Sequence, residues 1–206
     1  MTNAWLTLTD LSCERDDRWL FQAFNWQATG GQLWQLSGAN GSGKTSLLKI
    51  LAGLLNSDHG RVEWRLGEGD WREHLGYVGH QSGLRDELSA EENLAWLAAL
   101  HGERTENVQS VLADLGLGGF TDLPLAHLSV GQRRRVALAR LWLSDKQVWL
   151  LDEPFTAIDA KGVALLEARL VQLVQAGKLV IYTSHHQVSE QARRIELAHG
   201  QLKVVA

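Results

Sequence analysis

Cysteine is nearly absent from this chain: Cys13 is the only one in 206 residues. A single thiol excludes an intramolecular disulfide framework and a C-x-x-C-H haem attachment site, and it fits a reducing compartment. Proline is almost as scarce, with two residues, and no Pro-rich linker, low-complexity segment or repeat divides the chain. No apolar run approaches the ~18 residues of a membrane-spanning helix. The start, M-T-N-A-W-L-T-L-T-D, has neither a basic region nor a long apolar stretch, so no signal peptide is expected. The expectation is a cytosolic chain whose membrane role, if it has one, comes through a partner. A net charge of −4 removes the overall electrostatic case for nucleic-acid binding.

What is present is ordinary for a globular protein, with 45% hydrophobic and 21% charged residues. The length suits one large domain or a domain with an inserted subdomain. The nine tryptophans read as core and interface packing. Strands are expected at Trp5 to Thr9, Leu20 to Ala28, Gln32 to Leu36, Arg61 to Trp64 and Leu75 to Val78. A helix from Lys44 to Leu55 is expected to stop at the polar N-S-D-H-G. Ser89 with Glu92, and Ser129 with Gln132, are spaced as capping boxes ahead of apolar runs, the second helix reaching about Leu143. Asn107 to Leu115 reads as another helix, stopped by G-L-G-G. Strands return at Gln147 to Leu151, Lys178 to Tyr182, Ile195 to Leu197 and Leu202 to Val205, with a helix from Lys161 to Gln175. This pattern predicts a single domain over 1–206. Its α/β core covers about 1–83 and 145–206, with a helical insertion at about 84–144.

Residues 38 to 45 read Gly38, Ala39, Asn40, Gly41, Ser42, Gly43, Lys44, Thr45, matching G-x-x-x-x-G-K-[ST] between a strand and a helix. Glycines let the backbone curl around a phosphate, and the N–H groups and helix N-terminus point at the anion. Lys44 is expected to reach the β- and γ-phosphates, and Thr45 to ligate magnesium. Residues 148 to 153 read V-W-L-L-D-E, an apolar strand ending in two acids. Asp152 is expected to hold the magnesium from the far side. Glu153 is expected to polarise the attacking water.

Residues 128 to 132 read L-S-V-G-Q, followed by R-R-R-V-A-L-A-R. A serine at a helix N-cap followed by glycine offers a second phosphate grip, in Ser129, Gly131 and Gln132. The segment resembles the signature motif of ABC ATPases, and the resemblance runs through nearly the whole chain. It implies a P-loop NTPase fold of the ABC nucleotide-binding type, with an antiparallel β subdomain and the helical insertion. It also implies ATP and Mg2+ as ligands, and a head-to-tail homodimer in which each signature grips the partner's ATP. Gln81 in Y-V-G-H-Q matches the glutamine that senses magnesium and the attacking water. Asp159 in T-A-I-D matches a residue of the dimer seam, and His185 in T-S-H-H the switch histidine that contacts the γ-phosphate, with His186 as its alternative.

Within that family, L-S-C-E-R-D, Y-V-G-H-Q-S-G-L, A-L-A-R-L-W-L and L-L-D-E-P-F-T-A-I-D look most like the ATP-binding subunits of cytochrome c biogenesis haem exporters. The partners so implied are integral membrane subunits and, through them, a haem chaperone. The place implied is the cytoplasmic side of the inner membrane. Other readings are the motor of a different ABC exporter, a non-transport ABC ATPase, and an interaction protein with dead catalysis. Lys44, Asp152, Glu153 and His185 argue against the last. Two departures stand out. Val130 occupies a place where glycine is commonest. The usual adenine-stacking aromatic is missing, its place falling near Arg15, with Trp19 as the other candidate. Arg133, Arg134 and Arg135 read as a solvated helix face rather than a nucleic-acid patch.

Overall fold

The computed structural model describes residues 4–100, 106–184, 191–198 and 200–205. The chain forms two compact units, one from 1–77, 146–153 and 170–206, the other from 78–145 and 154–169. Along the first part run β1 (Leu6–Arg15), β2 (Arg18–Ala28), β3 (Leu33–Gly38), α1 (Lys44–Leu51), β4 (His59–Trp64) and β5 (Leu75–Val78). The helical middle holds α2 (Ala90–Leu100), α3 (Val108–Asp114), α4 (Val130–Leu138) and α5 (Arg140–Leu143). Then come β6 (Val148–Leu151), α6 (Ala160–Gln175), β7 (Leu179–Thr183), β8 (Arg193–Ala198) and β9 (Gln201–Val205).

The strands make a three-stranded sheet ordered β2-β1-β4 and a six-stranded sheet ordered β5-β6-β7-β3-β8-β9. β1 pairs antiparallel with both its neighbours. In the larger sheet β6, β7, β3 and β8 run parallel, and β9 returns antiparallel to β8. Parallel strands covered on both faces need apolar residues at every position, and β6 and β7 are buried throughout. Val148, Leu150, Leu179 and Ile181 face a core shared with Leu47 and Leu51 of α1 and with Leu6, Phe21 and Trp26 of the antiparallel sheet. Trp149 alternates to the opposite face and is wholly buried.

β1 is longer than its alternation suggests, because alternation breaks inside it. Register shifts lie between Leu8 and Leu11, where Asp10 takes a φ of 48°. Asn25 secures this bulge: its side-chain oxygen accepts from the Asp10 N–H at 3.0 Å and its amide donates to the Asp10 carboxylate at 2.8 Å. Arg15 then pairs with Arg18 across a two-residue turn, Asp16 and Asp17, with φ of 52° and 57°. Both signs match the turn whose twist suits a hairpin, and aspartate tolerates that region better than most residues. α1 stops before N-S-D-H-G. Leu54 donates to the Lys49 carbonyl and Gly53, at a φ of 69°, to that of Ile50, the left-handed glycine stop of a helix.

The second unit has its own core, in which Leu94, Leu112, Leu117, Leu125 and Val136 meet. Both expected capping boxes are present. Ser89 and Glu92 exchange bonds of 2.8 and 3.2 Å, as do Ser129 and Gln132. The helix opened by Ser129 breaks at Ala139 into α4 and α5 rather than running on to Leu143. The tryptophans range from buried, at Trp26, Trp34 and Trp149, through half-buried pairs such as Trp64 with Trp71, stacked at 6.0 Å, to the exposed Trp96.

Trp149 is accommodated by Gly76 on β5, where a Cβ would stand 2.3 Å from the indole Cζ3. Gly76→Ala should therefore destabilise the fold by about 1–3 kcal/mol, the usual cost of overpacking a core. Gly119→Ala, with nothing within 4 Å of its Cβ, should stay within about 0.5 kcal/mol. Urea unfolding of the two variants side by side measures the difference.

Candidate functional site

β3 delivers the chain into the glycine loop, and α1 begins at its lysine. Gly38 must be glycine, since a Cβ there would meet the Leu197 carbonyl oxygen at 2.4 Å. Gly43, at the N-cap of α1, has a φ of 106°, a conformation side chains rarely adopt. The curl this allows brings Lys44 back over its own loop. Its ammonium donates to the Gly38 carbonyl at 2.8 Å and to that of Ala39 at 3.0 Å. Burial pushes the Lys44 pKa down, and the negative charges of Glu153 and Asp152 oppose the shift. The buried Ser42 hydroxyl has no hydrogen-bond partner among the described residues, which suits a ligand oxygen at that place.

The two acids follow directly on β6. Asp152 is 1% exposed. The Thr45 hydroxyl reaches both its oxygens, at 3.1 and 3.0 Å. A hydroxyl and a carboxylate facing each other are hard oxygen donors of the kind Mg2+ takes together with phosphates. Among the described residues no cluster of three or more His, Cys, Asp or Glu forms a metal cage. Glu153 stands at a φ of 48°. Its N–H donates to the Thr183 hydroxyl at 2.6 Å, and that hydroxyl donates to Asp152 at 2.8 Å. Motif spacing does not single out Thr183; its one signal in the sequence is a hydroxyl residue closing a buried strand, just ahead of the two histidines.

Lys44, Thr45, Ser42 and Glu153 open onto one cavity of about 370 Å³, walled otherwise by more of the glycine loop and the start of α1, and by Arg15, Asp16 and Leu20. Of the two residues left open for the adenine, Arg15 lines this cavity and Trp19 does not; the Trp19 ring lies against His59, with centroids 5.9 Å apart. Arg15 is held by Asp58 at 3.1 Å and by the Asn56 carbonyl at 3.3 Å. The Glu14 N–H, and then the Arg15 guanidinium, hold the Asp58 carboxyl below its ordinary pKa. Such an exposed pair adds little stability, but it fixes where the guanidinium lies.

The second unit carries the signature. Ser129 accepts from the Gln132 N–H, and the Gln132 side-chain oxygen accepts from the Ser129 N–H. Val130, where glycine is commonest, is 63% exposed at the first turn of α4 and leaves the capping box intact. Gly131 is needed for close approach: a Cβ there would meet the Ala157 carbonyl oxygen at 2.4 Å. Ala157 itself takes a φ of 62°. Asp159 caps α6, accepting from the Gly162 N–H at 2.9 Å. Gln81 is exposed in the bend after β5. Of the three arginines, Arg133 pairs with the exposed Asp86 at 3.4 Å, in keeping with a solvated face. The other two turn to backbone acceptors: Arg134 donates to the Gly79 carbonyl after β5 at 2.9 Å, and Arg135 to the Leu115 carbonyl, left over at the end of α3, at 3.1 Å. His185 and His186 lie outside the described residues.

The family model described as "ABC transporter" matches residues 21–156. The cytochrome c biogenesis ATP-binding export protein CcmA of Alcanivorax borkumensis is 52% identical, over 97% of this chain and 90% of that protein. The protein of the same name from Pseudomonas fluorescens is 47% identical over 92% of each. Among solved structures, an ATP-binding subunit of an ABC transporter aligns with a TM-score of 0.84 at 23% identity, over 97% of this chain and 88% of that one. A dimeric ATP-binding cassette in a post-hydrolysis state with ADP and phosphate aligns with a TM-score of 0.84 at 24% identity, over 96% of each. These last two speak for the fold, and the first three for kinship. The chain belongs to the ABC transporter family, in the group of the cytochrome c biogenesis ATP-binding export proteins.

Proposed function

We propose that this chain is the ATP-hydrolysing motor subunit of a membrane ABC complex that exports haem or releases a haem chaperone during c-type cytochrome maturation. The observation that carries the ATPase reading is the meeting of a phosphate loop with two strand-end acids: Glu153 lines the cavity that Lys44 and Thr45 open onto, and the buried Asp152 bonds to Thr45 behind it. The names of the relatives carry the cytochrome c part and favour it over a different exporter.

In this reading the loop N–H groups and Lys44 receive the phosphates, Lys44 exchanging its two carbonyl partners for phosphate oxygens. Thr45 and Asp152 would hold the magnesium, with Gln81 as the further ligand the family resemblance implies, and the ion would supply neutralising charge to the phosphates. Glu153 orients the attacking water and takes its proton. His185 contacts the γ-phosphate. Arg15 offers the base a guanidinium plane, which stacks on a purine much as an aromatic does. Ser129, Gly131, Gln132 and Asp159 serve the nucleotide held by a second copy. The N-terminus of α4, with the Ser129 hydroxyl proton still available, suits an anion brought from outside the chain. Among the described residues no helix is long and apolar enough to cross a membrane. Attachment to the cytoplasmic face of the inner membrane would come through integral membrane subunits.

Lys44→Ala should abolish ATP binding measured by calorimetry. Glu153→Gln should bind ATP as the wild type does while turnover falls by about two to four orders of magnitude, the worth of a positioned acid–base group. Unchanged affinity in the first, or unchanged turnover in the second, removes the corresponding role.

The head-to-tail pairing is open to crosslinking. Ser129→Cys combined with Ala39→Cys places thiols at two exposed positions, and the native Cys13 is buried. ATP should give covalent dimers on non-denaturing and denaturing gels alike, and crosslinks confined to one chain would contradict the sandwich. The membrane role is checked by affinity purification from detergent-solubilised membranes. Integral membrane subunits of a haem-handling complex should accompany the chain, whereas the subunits of an unrelated exporter would redirect the assignment.

A further inference from the structure

We infer that Thr183 is a positioning residue for hydrolysis, its hydroxyl tying the Asp152 side chain to the Glu153 main chain. The inference rests on the ATPase reading above. A threonine hydroxyl has one proton and two acceptor lone pairs. An amide N–H can only donate and a carboxylate only accept, so the direction of each bond is settled by its partner. The Glu153 N–H donates to Thr183 Oγ1 at 2.6 Å, and Thr183 Oγ1 donates to Asp152 Oδ1 at 2.8 Å. Thr183 has no exposed surface, so water does not compete for either bond. Its β-branch also restricts χ1 and holds the hydroxyl on this side.

The sheet supplies the alignment. β6 and β7 run parallel with Leu151 opposite Tyr182, which carries Asp152 and Thr183 forward together at the strand ends. The bond to Asp152 Oδ1 sets the rotation of a carboxylate that also meets Thr45 through both oxygens. The bond from Glu153 fixes a residue at a φ of 48°, a region costly for a non-glycine residue and kept only where its surroundings impose it. With that backbone held, the Cα–Cβ direction of Glu153 is set before any nucleotide arrives. One hydroxyl thus aligns the metal-side acid and the water-side acid with each other.

The test is Thr183→Val, which keeps shape and removes the hydroxyl, beside Thr183→Ser and Thr183→Ala, in the chain with its assembled partners. Turnover, ATP affinity by calorimetry and the unfolding midpoint are measured for each. We expect kcat to fall roughly ten- to a hundredfold in the valine variant, as loss of a hydrogen bond to a charged group implies. ATP affinity should stay within about threefold, because the phosphate loop is untouched, and the serine variant should recover kcat to within about threefold of wild type. A valine variant with wild-type kcat overturns the inference. So does one whose affinity falls in proportion to kcat, or a serine variant as slow as valine, since either makes Thr183 a packing residue. Should valine fail to fold, the serine–alanine pair decides in the same terms. A wild-type chain with no ATP turnover would overturn the ATPase reading and this inference with it, whereas a competent wild type beside an unaffected valine variant overturns this inference alone.

Discussion

A carboxylate shut away from water has to be met by hydrogen-bond donors, because burying it unpaired is costly. Asp152 is such a group, and three elements of the first unit converge on it. It comes from the end of β6, Thr45 from the first turn of α1, and Thr183 from the end of β7. The order β6-β7-β3 sets the ends of β6 and β7 near the loop from β3 into α1, and the first residue of that helix adds the Lys44 charge, close enough to feel both acids. β6 is apolar throughout, and the buried polar groups of β3 and β7 short of their ends, such as Gln35 and Tyr182, bond to each other. Everything reactive is left to their carboxyl ends, where a parallel sheet gathers its loops.

This explains which parts could be read in advance. The phosphate loop and the Asp152–Glu153 pair are contiguous in sequence, so residue types and local context sufficed. The capping boxes at Ser89 and Ser129 were legible for the same reason. Thr183 was not, because its partner lies 31 residues away and only strand register brings the two together. The bulge at Asp10 hid the true length of β1, since a residue at positive φ interrupts the alternation by which strands are recognised. α1 ends at the left-handed Gly53 rather than at the polar N-S-D-H-G, because a single glycine is a weaker sequence signal than a polar run. In the arginine run after the signature, charge alone suggests solvent, which holds for Arg133; the carbonyls that Arg134 and Arg135 meet, at Gly79 and Leu115, are brought near only by the fold.

The second unit shows a comparable economy. Residues 154–169 belong with the helical middle rather than with the strands that precede and follow them. An account by element type along the chain does not separate them. Part of the tie is the closeness of Gly131 to the Ala157 carbonyl. Through it the signature turn and the T-A-I-D segment share a backbone contact that no side chain mediates. A displacement of either is felt directly by the other.

The hairpin tip stands beside the phosphate loop, and Asp16 turns there because aspartate accepts the left-handed backbone. Arg15 lines the cavity next to it, so the tip sets a cation and an anion side by side, and at a distance their fields partly cancel. A ligand feels the hairpin only once it is close. The tip then acts less as a magnet than as a gauge, reading the fit of what the phosphate loop has already seated.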